Sequence, residues 1–155
     1  MLKEEIARFP LFKDLTQDQL KKIAPVFWRV TLAAGETIFS QGDEARSVYV
    51  IESGEVVLRF FPEDGGSVDI ETITQDGVFG WSAALGRAQY TSSAICLTPI
   101  KAIATNGTDL RRVMRGDKEL SAVLIERMAQ VVAHRLQSFR TQIHALLEKE
   151  ENEYR

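Results

Sequence analysis

Hydrophobic residues in the first 28 positions recur at helical spacing, and proline interrupts the pattern. The apolar positions are Ile6, Phe9, Leu11, Phe12, Leu20, Ile23, Val26 and Phe27. Thr16 precedes the second group and is a residue type that commonly caps helix N-termini. Pro10 and Pro25 interrupt the pattern because proline lacks the amide hydrogen that a helix interior needs. Residues 1–28 therefore predict short N-terminal helices.

Residues 29–109 follow a period of two, which is the spacing of β-strands. Val48 and Val50, and then Val56 and Leu58, alternate with polar or opposite-face residues. Glycines separate these runs at positions 35, 42, 54, 65, 66 and 77. The EDGG sequence at 63–66 lies between two alternating runs and predicts a β-hairpin. Short strands joined by glycine turns are typical of an antiparallel barrel or sandwich.

Residues 110–155 are poor in glycine and rich in helix-forming residues. Asp117 is an N-cap candidate for a helix that extends to about Glu150, some 50 Å at about 1.5 Å per residue. An apolar seam with steps of four and three residues consists of Ile125, Ala129, Val132, Leu136, Phe139, Ile143 and Leu146. A second stripe, in the first half only, consists of Leu120, Leu124, Met128 and Val131.

These two stripes favour a dimer. The second stripe would pack on the β-domain, while the seam would pair with a second subunit and continue as a coiled coil beyond Phe139. The alternative is a core helix of a monomer, which would leave the distal half of the seam in water.

Composition narrows the class of protein. A length of 155 residues fits one domain, and a net charge of −3 lacks the clustered positive charge of a nucleic-acid-binding surface. The single cysteine, Cys96, excludes an intramolecular disulfide framework, so we expect a reducing, cytoplasmic setting. No apolar run approaches the roughly 20 residues of a membrane span, so membrane insertion is not expected.

Three segments are similar to the cyclic-nucleotide-binding domain of the Crp/Fnr type. They are LAAGETIFSQGD at 32–43, YVIESGEV at 49–56 and VFGWSAALGRAQYTSSAICL at 78–97. The resemblance extends over nearly the whole chain. It implies a mainly β fold with flanking helices: a double-stranded β-helix or jelly-roll-like β-roll with N-terminal helices at 1–28, the roll at 29–109 and C-terminal helices at 110–155. It also implies a short helix that opens at the FG segment and a long C-terminal helix that dimerises in parallel.

The third segment departs from the nucleotide-binding pattern at two positions. The family pattern has a glutamate after F-G and an arginine about ten residues later, just before two small residues. Trp81 stands at the glutamate position and Thr91 at the arginine position. A hydrogen bond to a charged group contributes on the order of 1.5–3 kcal/mol, and about 1.4 kcal/mol is tenfold in affinity. Losing both groups would weaken a cyclic nucleotide by roughly two to four powers of ten, so ordinary cyclic AMP or cyclic GMP is disfavoured as a ligand.

The same resemblance nominates a ligand site for some other small molecule. Its candidate residues are Phe79, Gly80, Trp81, Ser82, Ala83, Thr91, Ser92, Ser93 and Arg135. Backbone amides from Gly80 onward and the hydroxyls at 91–93 favour an anion. Arg135 corresponds to a family arginine near the ligand, and it could face the cavity, pair with an acidic neighbour, or extend its charge along the helix to water. Arg87 is expected at the surface, with an inward position beside the site as the alternative.

No catalytic or metal site is indicated. His134 and His144 are ten residues apart on the long helix, which is not a spacing for metal ligands on one face. Cys96 lies in an apolar run and is expected to be an inert core thiol, and neither histidine is expected inside the roll, where a haem ligand would be needed.

The sequence therefore predicts a non-catalytic, dimeric regulatory module that binds an unidentified small ligand. A partner protein would receive its signal, because no DNA-binding domain is expected after the long helix. The alternatives are a ligand-free scaffold whose pocket is filled by Trp81, or the effector domain of a truncated transcription regulator.

Overall fold

Eight strands form two four-stranded antiparallel sheets in the computed structural model. The model describes residues 1–153, apart from the side chains of residues 138, 139, 142 and 153. The strands are β1 (Phe27–Leu32), β2 (Thr37–Phe39), β3 (Ser47–Ser53), β4 (Val56–Phe60), β5 (Val68–Ile73), β6 (Val78–Phe79), β7 (Ser93–Cys96) and β8 (Ile100–Asn106). The strand orders are β1-β8-β3-β6 and β2-β7-β4-β5. The predicted jelly-roll-like β fold with flanking helices is confirmed.

The β4–β5 hairpin forms around the predicted EDGG turn. Phe60 pairs with Val68 at the tip, and Val56 pairs with Ile73 at the open end. Gly65 and Gly66 have φ angles of +100° and +77°. Residues with a Cβ rarely adopt this region, so both glycines are needed for the turn as it stands.

Short helices precede the sheets, as predicted. They are α1 (Lys3–Ile6), a 3-10 turn (Pro10–Phe12), α2 (Gln17–Ile23) and a second 3-10 turn (Ala24–Val26). Thr16 caps α2, since its hydroxyl accepts the amide of Gln19 at 3.2 Å and Gln19 Oε1 accepts the amide of Thr16 at 2.9 Å. Phe27 and Trp28 were expected in the helical segment, but both belong to β1 because the 3-10 turn that contains Pro25 ends at Val26.

The C-terminal region contains two helices in the described residues. A short helix between β6 and β7, α3 (Trp81–Ala84), precedes them in the chain. The first of the two is α4 (Gly107–Arg115), which begins within residues 29–109, the segment predicted as the roll. Asn106 caps α4 by accepting the amide of Thr108 at 2.8 Å. The second is α5 (Lys118–Glu153), 36 residues and about 54 Å long. Asp117 accepts the amide of Leu120 at 3.0 Å, so it caps α5 as predicted.

Two hydrophobic cores result from the period-two alternation. On β3, Val48 and Val50 face a helical core shared with α2, α4 and α5, while Ile51 lies in the core between the sheets. The predicted second stripe of α5 packs into the helical core through Leu120 and Leu124. The first half of α5 is thereby held against the roll.

Candidate functional site

The candidate site is built where the chain leaves β6 and turns into the short helix α3 (Trp81–Ala84). Gly80 stands at this turn with a φ angle of +84°. A Cβ at Gly80 would lie 2.7 Å from the backbone oxygen of Ser47. Only glycine therefore fits both the backbone conformation and the close approach to β3.

A small cavity lies beside this turn. Its volume is about 60 Å³, and its lining residues are Phe39, Leu58, Gly80, Trp81, Ser82, Tyr90, Thr91, Ser92 and Arg135. Six of the nine candidate ligand residues thus meet around one space. Sites for organic ligands usually measure roughly 300–1,000 Å³. The cavity, in this form of the chain, has room for a few atoms and none for a nucleotide.

Arg135 from α5 closes one side of the cavity. Its Nε donates to Glu71 Oε2 at 2.7 Å, and its Nη2 donates to the carbonyl of Val78 at 2.8 Å. The side chains of Arg135 and Glu71 are 22% and 19% exposed, so water screens the pair only partly. The arginine therefore ties α5 to β5 and β6, and any acceptor that enters the cavity competes with Glu71 for the guanidinium.

Trp81 is both a lining residue and a core residue. It is 7% exposed and belongs to the helical core with Leu120, Leu124 and Met128. Its Nε1 is buried without a hydrogen-bond partner among the residues that the structure describes. An unsatisfied buried donor costs about 1–3 kcal/mol. An indole is a donor only, so Trp81 cannot accept a hydrogen bond from a ribose hydroxyl, as a glutamate at this position would.

Three candidate residues do not line the cavity. Phe79 stacks on Tyr49 with ring centroids 5.1 Å apart, within the core between the sheets. The carbonyl of Ala83 accepts a hydrogen bond from Arg111 of α4, so this residue anchors α3 to α4. Ser93 Oγ accepts the amide of Gln41 at 2.8 Å. Each of these residues supports the structure around the cavity.

Three residues that line the cavity were not predicted from the sequence: Phe39, Leu58 and Tyr90. The Tyr90 ring stacks on Phe39 with centroids 3.6 Å apart. Its hydroxyl donates to the carbonyl of Ser47 at 2.6 Å and accepts the Ser47 amide at 2.9 Å. Burial raises the pKa of Tyr90, so its hydroxyl is neutral at physiological pH. Tyr90 could have been predicted because it directly precedes the candidate residue Thr91. No nearby sequence pattern indicated that Phe39 or Leu58 would line the cavity.

The seam of α5 is exposed along its described residues. Ile125, Val132, Leu136, Ile143 and Leu146 are between 43% and 65% exposed, and Ala129 is also exposed. The side chain of Phe139, the remaining predicted seam residue, lies outside the described residues. In the isolated chain, this helix thus presents an apolar row to solvent.

Several other sequence expectations concern groups outside the cavity. Arg87 is exposed and does not line the cavity. Cys96 is 1% exposed, and burial raises the pKa of its thiol, which disfavours the reactive thiolate. The described residues include no cluster of histidine, cysteine or carboxylate side chains suited to a metal ion. None of the helices within residues 1–153 is long and apolar enough to cross a bilayer.

Comparisons with known proteins agree with this architecture. The family model for the cyclic nucleotide-binding domain matches residues 29–117. A Geobacter metallireducens GS-15 protein assigned as a cyclic nucleotide-binding protein aligns with a TM-score of 0.76 and 27% identity, over 88% of this chain and 98% of that one. The regulatory subunit of a cAMP-independent protein kinase A from Trypanosoma brucei aligns with a TM-score of 0.73 and 13% identity, over 90% of this chain and 49% of that one, which shows the fold alone.

Among curated proteins, a CRP-like cAMP-activated global transcriptional regulator of Mycobacterium tuberculosis is 25% identical over 133 residues. The match includes 86% of this chain and 58% of the regulator. The chain spans 28%, 18% and 58% of the length of the first three curated relatives that it matches.

Proposed function

Because the chain belongs to the cyclic nucleotide-binding domain family, we propose that it is a non-catalytic regulatory module for a small ligand other than ordinary cyclic AMP or cyclic GMP. One observation supports this most directly. The space beside α3 measures about 60 Å³ and has Trp81 and Thr91 at the two positions where the resemblance expects a glutamate and an arginine.

Charge and exposure both argue against a cyclic nucleotide. Among the described residues that line the cavity, Arg135 is the one charged residue, and Glu71 already neutralises it. Thr91 is exposed and has a hydroxyl in place of a cation. A cyclic phosphate in this cavity would therefore have to displace Glu71 from Arg135, with no second cation to assist, and its sugar would lack a carboxylate partner.

The mechanism that we propose depends on Arg135. A ligand with an acceptor group would draw the guanidinium away from Glu71 Oε2 and weaken the attachment of α5 to β5. A ligand shifts a conformational equilibrium only by its differential affinity for the two states, and loss of this ion pair provides such a difference. The signal would then leave the domain as a change in the position of α5.

A homodimer through α5 is part of this proposal. The exposed seam leaves Leu136 60% and Leu146 65% accessible, which is costly for side chains of this size in water. Pairing with a second copy would bury the seam at the heptad spacing of a coiled coil. A change at Arg135 would reach the partner directly, because Leu136 of the seam is its neighbour in the chain.

A second candidate function is a dimeric scaffold without a ligand. The burial of Trp81 in the helical core favours it, since the indole stabilises the packing of α3 against α5 whether or not anything binds. The same fold occurs in the regulatory subunit of a protein kinase A that is cAMP-independent, so the fold alone does not require that ligand.

We also propose a reducing, cytoplasmic location and a protein partner that receives the signal, supported by the single buried cysteine and the net charge of −3.

Thermal unfolding in the presence of ligands tests the proposal. The full chain would be heated with cyclic AMP, cyclic GMP, other nucleotides and small organic and inorganic anions, each over a range of concentrations. A saturable rise in midpoint with a compound other than the two cyclic nucleotides is expected, because a ligand that binds the folded state stabilises it. A response to cyclic AMP at nanomolar to micromolar concentration would contradict it. A flat response to the whole panel would favour the scaffold.

A further inference from the structure

A second and larger cavity shares Phe39 and Tyr90 with the first. It has a volume of about 390 Å³ and is lined by Ile38, Phe39, Asp43, Glu44, Arg46, Ser47, Tyr49 and Tyr90. We call it the aromatic cleft. Its volume falls within the range of roughly 300–1,000 Å³ that organic ligands occupy, unlike the cavity beside α3. None of its residues was a ligand candidate in the sequence.

Three rings form the wall of the aromatic cleft and are held rigidly. Phe39 stacks on Tyr90 with centroids 3.6 Å apart, and Tyr49 lies 6.2 Å from Phe39. The two hydrogen bonds between the Tyr90 hydroxyl and the backbone of Ser47 fix the orientation of that ring. Burial raises the pKa of Tyr49 as well as that of Tyr90, so both phenols stay neutral. The wall is therefore preformed and uncharged.

The charges at the rim leave one carboxylate without a cation. Arg46 donates from Nε and Nη2 to Glu44 Oε2 at 3.0 and 2.8 Å, so these two residues neutralise each other. Asp43 Oδ2 accepts the amide of Ser40 at 2.9 Å. Within the described part of the chain, no ion pair includes Asp43. The aromatic cleft thus has a net negative charge beside aromatic rings.

We propose that the aromatic cleft binds a small organic cation, with an ammonium group placed against the rings of Tyr49 and Tyr90 and Asp43 as the counter-charge. A cation is attracted by the negative face of an aromatic ring and by a nearby carboxylate. An anion would meet Asp43 and would find the guanidinium of Arg46 already engaged by Glu44. The site is separate from the cavity beside α3, but the shared Phe39–Tyr90 pair places the two in contact.

The test uses tetramethylammonium chloride as the probe and the ¹H–¹⁵N spectrum of the full chain as the readout. Tert-butanol has a similar shape without the charge, and sodium chloride supplies the same ionic strength. We expect saturable shifts of the backbone amides at 43–49 and of Tyr90 with tetramethylammonium. Clearly weaker shifts are expected with tert-butanol, and none at those residues with sodium chloride alone.

Two variants should change the affinity in opposite directions. Asp43→Asn removes the charge but keeps an oxygen that can accept the Ser40 amide, so the loop is retained. It should weaken binding roughly two- to fivefold, the usual range for an exposed charge pair. Arg46→Gln frees the carboxylate of Glu44 and should strengthen binding by a similar factor. Asp69→Asn, which removes a carboxylate paired with Arg59 on the β4–β5 hairpin, is the matched control and should change nothing.

Four results would overturn the proposal. Tert-butanol that binds as well as tetramethylammonium would mean that charge has no part in recognition. Shifts that grow linearly up to high millimolar concentration would mean that no site exists. A change of affinity in the same direction for Asp43→Asn and Arg46→Gln would mean that the rim charges do not act locally on the ligand. The same conclusion would follow if Asp69→Asn weakened binding as much as Asp43→Asn.

Discussion

The ion pair between Arg135 and Glu71 offers the sharpest test of how α5 is attached to the roll. Arg135→Gln removes the bond to Glu71 Oε2 at 2.7 Å and the bond to the Val78 carbonyl at 2.8 Å. Glu71→Gln keeps an acceptor oxygen and removes only the charge. The double variant completes a cycle that isolates the interaction between the two side chains.

The expected magnitude follows from the burial of the pair. Exposed ion pairs contribute about 0.2–1 kcal/mol, and breaking a fully buried pair costs about 3–5 kcal/mol. With side chains 22% and 19% exposed, this pair lies between those limits. We expect Arg135→Gln to lower the free energy of unfolding by about 1–3 kcal/mol, because it also orphans the Val78 carbonyl, and the coupling between Arg135 and Glu71 to be about 1 kcal/mol.

Urea unfolding of the four proteins at one fixed protein concentration measures these quantities. The Arg59–Asp69 pair is a suitable control cycle, since its side chains are 31% and 56% exposed and its coupling should be smaller. A coupling between Arg135 and Glu71 below about 0.5 kcal/mol would be no larger than that of independent sites. It would refute the idea that this ion pair holds α5, and with it the mechanism proposed for the signal.

Three further outcomes are expected. Leu136→Glu should convert a dimer into a monomer, whereas Gln137→Glu, at the next and also exposed position, should not; light scattering after size exclusion measures the two masses. Equal masses for both variants would contradict a dimer through the seam. Gly80→Ala should lower the midpoint of thermal unfolding more than Gly65→Ala, because both glycines have positive φ angles but only at Gly80 does the Ser47 oxygen lie 2.7 Å from the new Cβ. An equal fall in midpoint for both variants would mean that neighbouring backbone shifts and relieves this close approach. The Leu120 amide and Lys22 lower the pKa of Asp117, so the stability that its charge contributes is present above its unfolded pKa of about 3.9 and is lost as pH falls through the folded pKa. In Asp117→Asn the free energy of unfolding should therefore depend less on pH in that range; the same pH dependence as in the parent chain would argue against this contribution.

Features that depend only on neighbouring residues could be predicted from the sequence. The turn at 63–66 could be predicted because two glycines between alternating runs are enough to specify a hairpin, and Gly65 and Gly66 adopt the positive φ angles that such a turn needs. The caps at Thr16 and Asp117 were predictable for the same reason, since a cap involves residues only three apart. The bounds of α4 were not predicted, because it begins at Gly107, inside the segment assigned to the roll, and glycine is a poor helix former.

The candidate site was only partly predictable. The resemblance nominated nine residues in or next to two short segments and on α5, yet Phe79, Ala83 and Ser93 hold neighbouring elements instead of lining the cavity. Alternation along β6 and β7 and the turn at Gly80 decide which side chains face inward, and both depend on how the strands pair. Phe39 and Leu58 come from β2 and β4, whose distance from α3 along the chain hid them from any local pattern.

The sequence by itself determined the elements, their hydrophobic faces and the two positions at which the cyclic-nucleotide pattern is broken, because each is a property of residues close together in the chain. Only the tertiary structure decided that Arg135 meets Glu71, 64 residues away, that Trp81 is in the core, and that the space beside α3 is about 60 Å³. It alone revealed the aromatic cleft, whose wall unites β2, β3 and Tyr90. The physical reason is that the size and charge of a cavity depend on how distant segments pack, and packing is settled by the whole set of buried side chains at once.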